Sequence, residues 1–210
     1  MPATAAPPEQ RVILENVSWE TYERLLAENV ESVGTRFTYD GGLLEIMVVG
    51  VGHEDPNRTL AALAEIVAEE TRKDFRRTGS TTFKRRDLGK GFEPDSCYYF
   101  QNAPRVRGKD DLDLNEDPPP DLVIEVDITR SSLNRFPIFG AVGVPEVWRY
   151  DGERVRIYLL HGAEYQEVPA SHVLPPLTAE QATLFLDQSK TQASTAWLKR
   201  VREWVRASSR

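Results

Sequence analysis

Cysteine is almost absent from this chain, since Cys97 is the only one in 210 residues. A lone cysteine excludes an intramolecular disulfide and any metal site built from several thiolates, and it agrees with a reducing cytoplasm as the expected location. No apolar run reaches the roughly 18 residues that a membrane-spanning helix needs. The first residues lack the charged-then-apolar order of a secretory signal, and the chain has no GxxxxGK[ST] phosphate loop.

Basic residues are in deficit, with 26 Lys+Arg against 33 Asp+Glu and a formal net charge of −7. This balance argues against a protein that coats nucleic acid by charge alone. It is compatible with an enzyme whose cleft gathers several carboxylates around a metal ion. Hydrophobic residues make up 40% of the chain, which is typical of a globular protein.

The length fits one domain with appendages better than two complete domains. Residues 1–17 begin with a Pro- and Ala-rich segment and are predicted to form a disordered lead-in. Residues 18–170 are predicted to form the domain. Residues 171–210 are predicted to form a C-terminal helical extension, which ends in a basic amphipathic helix.

Local patterns predict a mixed α/β domain, with a sheet flanked by helices. Ser18 is placed to cap a helix over residues 18–28, and Asp40-Gly41-Gly42 between two strand-like runs predicts a hairpin. Periodicity and turn residues predict the remaining elements: helices over 56–75 and 132–142, an exposed loop over 103–120, and strands over 80–85, 92–100, 121–129, 146–150, 155–160 and 164–168.

Several acids lie in predicted strands whose other side chains are mostly apolar and are expected to be buried. Side chains alternate across a strand, so Glu125 and Asp127 share one face of the apolar run at 121–129. Glu45 is the only charge in residues 43–49, and Asp95 opens the strand that follows Pro94. Each acid could be hydrated or satisfied by an arginine or backbone N–H groups. Three strands that each bring one acid to a common edge favour a Mg²⁺ site, since this ion needs only one or two carboxylates. Asp95 and Glu125 would hold the ion, and Glu45 would reach it directly or through water.

Two of these segments resemble a known catalytic motif. Pro94-Asp95 and Glu125-Val126-Asp127 are similar to the bipartite PD-(D/E)XK motif of restriction-endonuclease-like nucleases. Over residues 18–170 the chain resembles the Uma-type family of restriction endonucleases. The segments that carry this resemblance are Asp40-Gly41 before Glu45, His53 before a long helix, Glu93-Pro94-Asp95, Pro120-Asp121-Leu122-Val123-Ile124-Glu125-Val126, and Gly143-Val144-Pro145-Glu146-Val147-Trp148.

The resemblance implies a restriction-endonuclease-like core and a metal-dependent endonuclease that hydrolyses DNA. It implies Mg²⁺ or Mn²⁺ as the cofactor, double-stranded DNA as the substrate and a homodimer as the active form. Asp95 and Glu125 would be the metal ligands. Glu45 would be an acid contributed by an earlier strand, and His53 a polar residue that faces the same cleft.

The chain departs from the motif at its third position, where Asp127 replaces lysine. Relatives often carry a lysine in the following helix, and the equivalent position here is Arg135, which can stabilise negative charge but cannot act as a base. Lys84 is a candidate for a migrated lysine and Lys90 is a second one. Asp127 could instead be a further metal ligand.

Three functions therefore remain open at this level. The first is the DNA endonuclease. The second is a catalytically weak or inactive nuclease fold that acts as a DNA-binding or assembly module, and the absent motif lysine favours it. A metal hydrolase for a small phosphorylated substrate is the third.

Overall fold

The computed structural model describes residues 9–29, 34–128 and 133–208. Their strands are β1 (Glu9–Leu14), β2 (Thr35–Asp40), β3 (Leu43–Val49), β4 (Arg76–Arg77), β5 (Phe83–Arg85), β6 (Lys90–Phe92), β7 (Ser96–Tyr99), β8 (Leu122–Val126), β9 (Glu146–Tyr150), β10 (Val155–His161) and β11 (Glu164–Val168). The helices are α1 (Trp19–Glu28), α2 (Val51–Glu70), α3 (Ala103–Val106), α4 (Phe136–Val142), α5 (Ala179–Ser189) and α6 (Ser194–Ser208). None of the helices in these ranges is long and apolar enough to cross a membrane.

The strands form two sheets, so the predicted mixed α/β architecture is confirmed. The first sheet is antiparallel with the order β1-β3-β2-β6-β5. The second has the order β11-β10-β9-β8-β7-β4, and its strands are antiparallel except for the parallel pair β8 and β9. The α4 segment lies between β8 and β9 in the chain, as expected of a crossover between parallel neighbours.

The second sheet has a core on each face. Alternation along β8 sends Leu122, Ile124 and Val126 into one core, which α2, α5 and α6 cover. Val123 points the other way, into a core shared with β5, β6 and α4. The first sheet packs under α1, where Trp19, Tyr22 and Tyr39 form an aromatic cluster.

Local sequence signals predicted α1 and the β2–β3 hairpin correctly. Ser18 caps α1, because its hydroxyl accepts the Thr21 N–H at 3.1 Å. The hairpin pairs Asp40 with Leu43, and Gly41 and Gly42 between them have φ of 54° and 105°. A type I′ turn requires such positive values at both central positions, and glycine adopts them without steric cost.

The predicted basic amphipathic helix is α6. Its apolar side buries Trp197, Val201 and Val205 in the core beneath α2 and α5. On its basic side, Arg202 lies 3.2 Å from Glu69 and Arg206 lies 2.7 Å from Glu70. Two of its cations are thus directed at the acids that end α2.

Several boundaries differ from the sequence predictions. The disordered lead-in expected over residues 1–17 is wrong for residues 9–14, because β1 pairs with β3 along its whole length. Helix α2 begins at residue 51 and not at 56, with Gly50 as its extended N-cap residue. The predicted start of a helix at residue 132 lies outside the described residues, and α4 begins at residue 136.

The strand predicted over residues 92–100 is divided between the two sheets. Its first residue ends β6 in the first sheet, and residues 96–99 form β7 in the second. Pro94 and Asp95 make the crossing, where proline has no N–H to offer a ladder. Asp95 is therefore held at the junction of the sheets.

Candidate active site between the sheets

The first part of the site is a buried triad of two acids and one arginine. Glu45 comes from β3 of the first sheet and is fully buried, while Glu125 comes from β8 of the second sheet. Arg135, just before α4, joins them: its Nη2 donates to Glu45 Oε1 at 2.8 Å, and its Nη1 donates to Glu125 Oε2. A guanidinium group matches carboxylates in this way because its donors form a planar fork.

Asp95 completes the arrangement from the crossing between β6 and β7. Its Oδ2 accepts the backbone N–H of Val126 at 2.8 Å, which fixes the carboxylate beside β8. His53 Nε2 lies 3.3 Å from the same oxygen. The sequence-predicted residues Glu45, His53, Asp95 and Glu125 are thus brought together with Arg135 at one place.

Two oxygens of these acids lack a partner among the described residues. Asp95 Oδ1 and Glu125 Oε1 are buried and make no hydrogen bond within residues 9–29, 34–128 and 133–208. Buried polar atoms are nearly always satisfied in native proteins, so such exceptions require an explanation. A bound cation is a partner that would satisfy a buried carboxylate oxygen of this kind.

One face of α2 supports Asp95. His53 and Asn57 stand one turn apart on this helix, so they project from the same side. Asn57 Nδ2 donates to the Asp95 backbone oxygen at 3.3 Å, and its Oδ1 accepts the Ser96 hydroxyl at 2.8 Å. Sequence analysis missed Asn57, although its i, i+4 spacing from His53 was a visible signal.

Asp127 faces two arginines. Its Oδ1 lies 3.3 Å from Arg11 Nη2, and its Oδ2 accepts a hydrogen bond from Arg149 Nη2. Arg11 also approaches Glu45 at 3.5 Å. Sequence analysis missed both arginines, because Arg11 stood in the expected lead-in and Arg149 was assigned only to a strand. The register that pairs Arg149 with Glu125 across β8 and β9 could not be known from local patterns.

The described residues around these groups enclose a cavity of about 260 Å³. Its wall includes Glu125, Asp127, Arg11, Arg135 and Arg149. Phe136 also lines it, and the Arg149 guanidinium lies 5.8 Å from the centre of that ring. The cavity combines charged groups of both signs with an apolar wall, as ligand sites commonly do.

The pKa of Glu125 is raised to about 7: burial is the main cause, the guanidinium of Arg135 opposes the shift, and the charge of Asp95 adds to it. The neighbouring carboxylates raise the pKa of Arg135 above its ordinary value, although burial opposes this. Arg135 therefore carries a permanent positive charge at this site.

The two candidate lysines lie away from this cluster. Lys84 is on β5, half exposed, and its Nζ lies 3.1 Å from Glu23 of α1. Lys90 is on β6 and pairs with Asp40 at the hairpin. Among the described residues, the positive charge beside Glu125 comes from arginine and not from lysine.

The donor set fits a divalent cation with few protein ligands. No group of three or more His, Cys, Asp or Glu within the described ranges is arranged to hold a metal ion. Mg²⁺ commonly takes one or two carboxylates and retains several waters. Asp95 Oδ1 and Glu125 Oε1 are hard oxygen donors of this kind, without another partner in the described part of the chain.

Comparison with known proteins identifies the family. The sequence model of Uma2, described as "Putative restriction endonuclease", matches residues 19–188. The chain belongs to the Uma2 family. This confirms the resemblance drawn from the motifs, and the matched region extends through most of α5. It contains Glu45, His53, Asp95, Glu125, Asp127, Arg135 and Arg149, whereas Arg11 lies outside it.

No curated protein matches this member of the Uma2 family. A solved structure titled as "a putative nuclease belonging to DUF820 from Anabaena variabilis" is similar to it, with 13% sequence identity and a TM-score of 0.48. The similarity covers 81% of this chain and 90% of that one.

Proposed function

We propose that this Uma2-family protein is a metal-dependent endonuclease that hydrolyses DNA phosphodiester bonds, with Asp95 and Glu125 as the ligands of Mg²⁺ or Mn²⁺. The observation that carries the proposal is the pair of buried carboxylate oxygens, Asp95 Oδ1 and Glu125 Oε1, that lack hydrogen-bond partners among the described residues. They come from the two segments that resemble the catalytic motif of this superfamily. A divalent cation bound there would lower the pKa of a water and neutralise charge on the phosphodiester.

The surrounding residues have distinct tasks in this proposal. The Val126 N–H and His53 both engage Asp95 Oδ2, so the other oxygen is left to face the cation. Arg135 holds Glu125 by one oxygen in the same way. Each acid is thus oriented by a bond to one oxygen, which limits the motion of the other.

Arg135 also replaces the missing motif lysine as a source of positive charge. A guanidinium near the reacting phosphate stabilises the negative charge that develops as the bond breaks. It cannot remove a proton from water, since it does not deprotonate in proteins. The proton acceptor in the reaction is therefore another group.

A second candidate function rests on the same arginine. Arg135 already neutralises Glu45 and Glu125 by direct contact. If that contact persists in solution, the guanidinium stands in for the cation, and the fold would serve as a DNA-binding or assembly module without useful catalysis. Metal affinity separates this candidate from the endonuclease.

Calorimetric titration of Mg²⁺ and Mn²⁺ into wild type, Asp95→Asn and Glu125→Gln, beside a plasmid-nicking assay, tests the proposal. Both substitutions keep the shape of the side chain and remove its charge. We expect wild type to bind metal and nick DNA, and both variants to lose metal binding and most of the nicking. If wild type binds neither metal, the proposed metal-dependent endonuclease is wrong and the DNA-binding or assembly module is the remaining candidate.

The matched control is Glu93→Gln. Glu93 is also buried and lies two residues from Asp95, but its oxygens accept the Phe37 N–H at 2.9 Å and the Thr82 hydroxyl at 2.5 Å. A glutamine can make both contacts, as acceptor to the N–H and donor to the hydroxyl. We expect this variant to bind metal as wild type does; a comparable loss would point to a general disturbance of the crossing between the sheets.

A further inference from the structure

We propose that Arg11 and Arg149 form a phosphate-binding subsite that holds a DNA phosphate beside the scissile one, with Asp127 as the counter-ion that positions both guanidinium groups. This inference rests on the proposed function for the identity of its ligand as DNA. It concerns Arg11 and Arg149, to which neither the motif nor the family description assigns a role, and it gives Asp127 a role different from that of the motif lysine it replaces.

Asp127 is placed to hold two cations at once. Its backbone N–H donates to the Tyr150 carbonyl at 2.8 Å, which extends the β8–β9 pairing by one residue. The Asp127 side chain is 9% exposed, and each of its oxygens is engaged by a different arginine. A carboxylate used in this way is occupied by cationic side chains, so it orients arginines and is not available as a metal ligand.

The two arginines converge from different sheets. Arg11 lies on β1, at the edge of the first sheet, opposite Met47 of β3. Arg149 lies on β9 of the second sheet, opposite Glu125. Both guanidinium groups contact the carboxylate of Asp127, and a shared counter-ion of this kind fixes their orientation.

Arg149 retains the capacity to bind an anion. Among the described residues, its side-chain hydrogen bond is the one to Asp127 through Nη2, which leaves further N–H groups of the fork. Its side chain is 33% exposed and lies against the Phe136 ring on the cavity wall. A guanidinium that lies over an aromatic ring and lines a cavity suits bidentate recognition of a phosphate.

Charge on the cavity wall also favours an anion. In a protein with a net charge of −7, the described residues of this wall include three arginines and two carboxylates. Cations gathered in a cleft raise the local concentration of anionic ligands. The volume of about 260 Å³ is below that of a site for a drug-sized molecule and suits a phosphate with part of its sugar.

The test measures DNA binding without cleavage. A labelled DNA duplex is titrated in EDTA by fluorescence anisotropy with wild type, Arg11→Gln and Arg149→Gln at several salt concentrations. Because each arginine contacts a phosphate, we expect each variant to raise the Kd about tenfold. The slope of log K against log salt should fall by about one for each arginine removed, for any DNA sequence.

Arg156→Gln is the control, because Arg156 lies on β10 and pairs with Asp151 outside this cavity. It should bind DNA as wild type does. Inorganic phosphate should compete with DNA for wild type and lose that effect in the Arg11→Gln, Arg149→Gln double variant. A wild type that binds inorganic phosphate in calorimetry but does not bind DNA would overturn DNA as the ligand.

Asp127→Asn separates the counter-ion from a metal ligand. We expect it to keep the Mg²⁺ affinity of wild type in calorimetry, since its oxygens serve the arginines. Loss of metal binding in this variant would overturn the assignment of Asp127 as a counter-ion. Unchanged DNA binding in both single arginine variants would overturn the phosphate-binding subsite itself. If wild type binds DNA through these arginines but does not nick it, the proposal of the subsite stands and only the proposed nuclease activity is rejected.

Discussion

At the scale of single residues, the charge of Arg135 balances two buried acids. Removing one member of a buried ion pair leaves its partner uncompensated, which costs about 3–5 kcal/mol. We therefore expect Arg135→Met to lower the free energy of unfolding by about that amount in urea denaturation with EDTA present. Arg156→Met should cost much less, because its partner Asp151 reaches solvent.

The same variant tests what occupies the space between the acids. Without the guanidinium, the positive charge that repels a cation at Asp95 and Glu125 is gone, and a ligand that binds only the folded state raises its stability. We expect added Mg²⁺ to stabilise Arg135→Met more than it stabilises wild type. Equal effects of Mg²⁺ on the two proteins would show that the arginine and the cation do not compete.

The residues of this site differ in how far a sequence reveals them. Glu45, Asp95 and Glu125 could be predicted, because a lone acid in an apolar strand is locally anomalous. Arg11 and Arg149 could not, because arginine on a strand is ordinary and their significance comes only from Asp127. Arg11 and Asp127 are 116 residues apart in the chain, and no local pattern reports such a contact.

At the scale of elements, α6 is held to the domain by its apolar side and not by its charges. Trp197 is buried, and its Nε1 donates to the Phe185 carbonyl at 2.8 Å. We expect Trp197→Ala to cost about 3–5 kcal/mol in urea denaturation, as large-to-small changes in a core do. Arg206→Gln should cost much less, about 1 kcal/mol at most, since the Arg206 side chain is 63% exposed where it pairs with Glu70.

The elements also show where local prediction succeeds. Helix α1 and the β2–β3 hairpin depend on a cap and a glycine turn, and both signals lie within a few residues. The division of residues 92–100 between two sheets depends on which strands lie alongside, and β6 and β7 have unrelated neighbours. Alternation of apolar residues predicts a strand but does not say to which sheet it belongs.

At the scale of the whole molecule, the proposed endonuclease has one set of carboxylates in each copy, whereas a DNA duplex has two strands. A single copy can cut one strand in each encounter, whereas two paired copies can address both. We propose, as the family resemblance implied, that the active form is a homodimer. With supercoiled plasmid and Mg²⁺, we then expect linear DNA to appear together with nicked circles, at a rate that rises more steeply than the protein concentration.

Sedimentation equilibrium over the same concentration range provides the independent measurement. Dimers that form at the protein concentrations where the cleavage rate rises steeply would support the dimer as the active form. A matched control is a mixture of wild type with excess Asp95→Asn, which forms mixed pairs that hold one intact site. Such pairs should convert plasmid to nicked circles and yield little linear product. Nicked circles that accumulate first for wild type too, at a rate proportional to its concentration, would contradict the dimer and indicate a monomer that cuts one strand at a time.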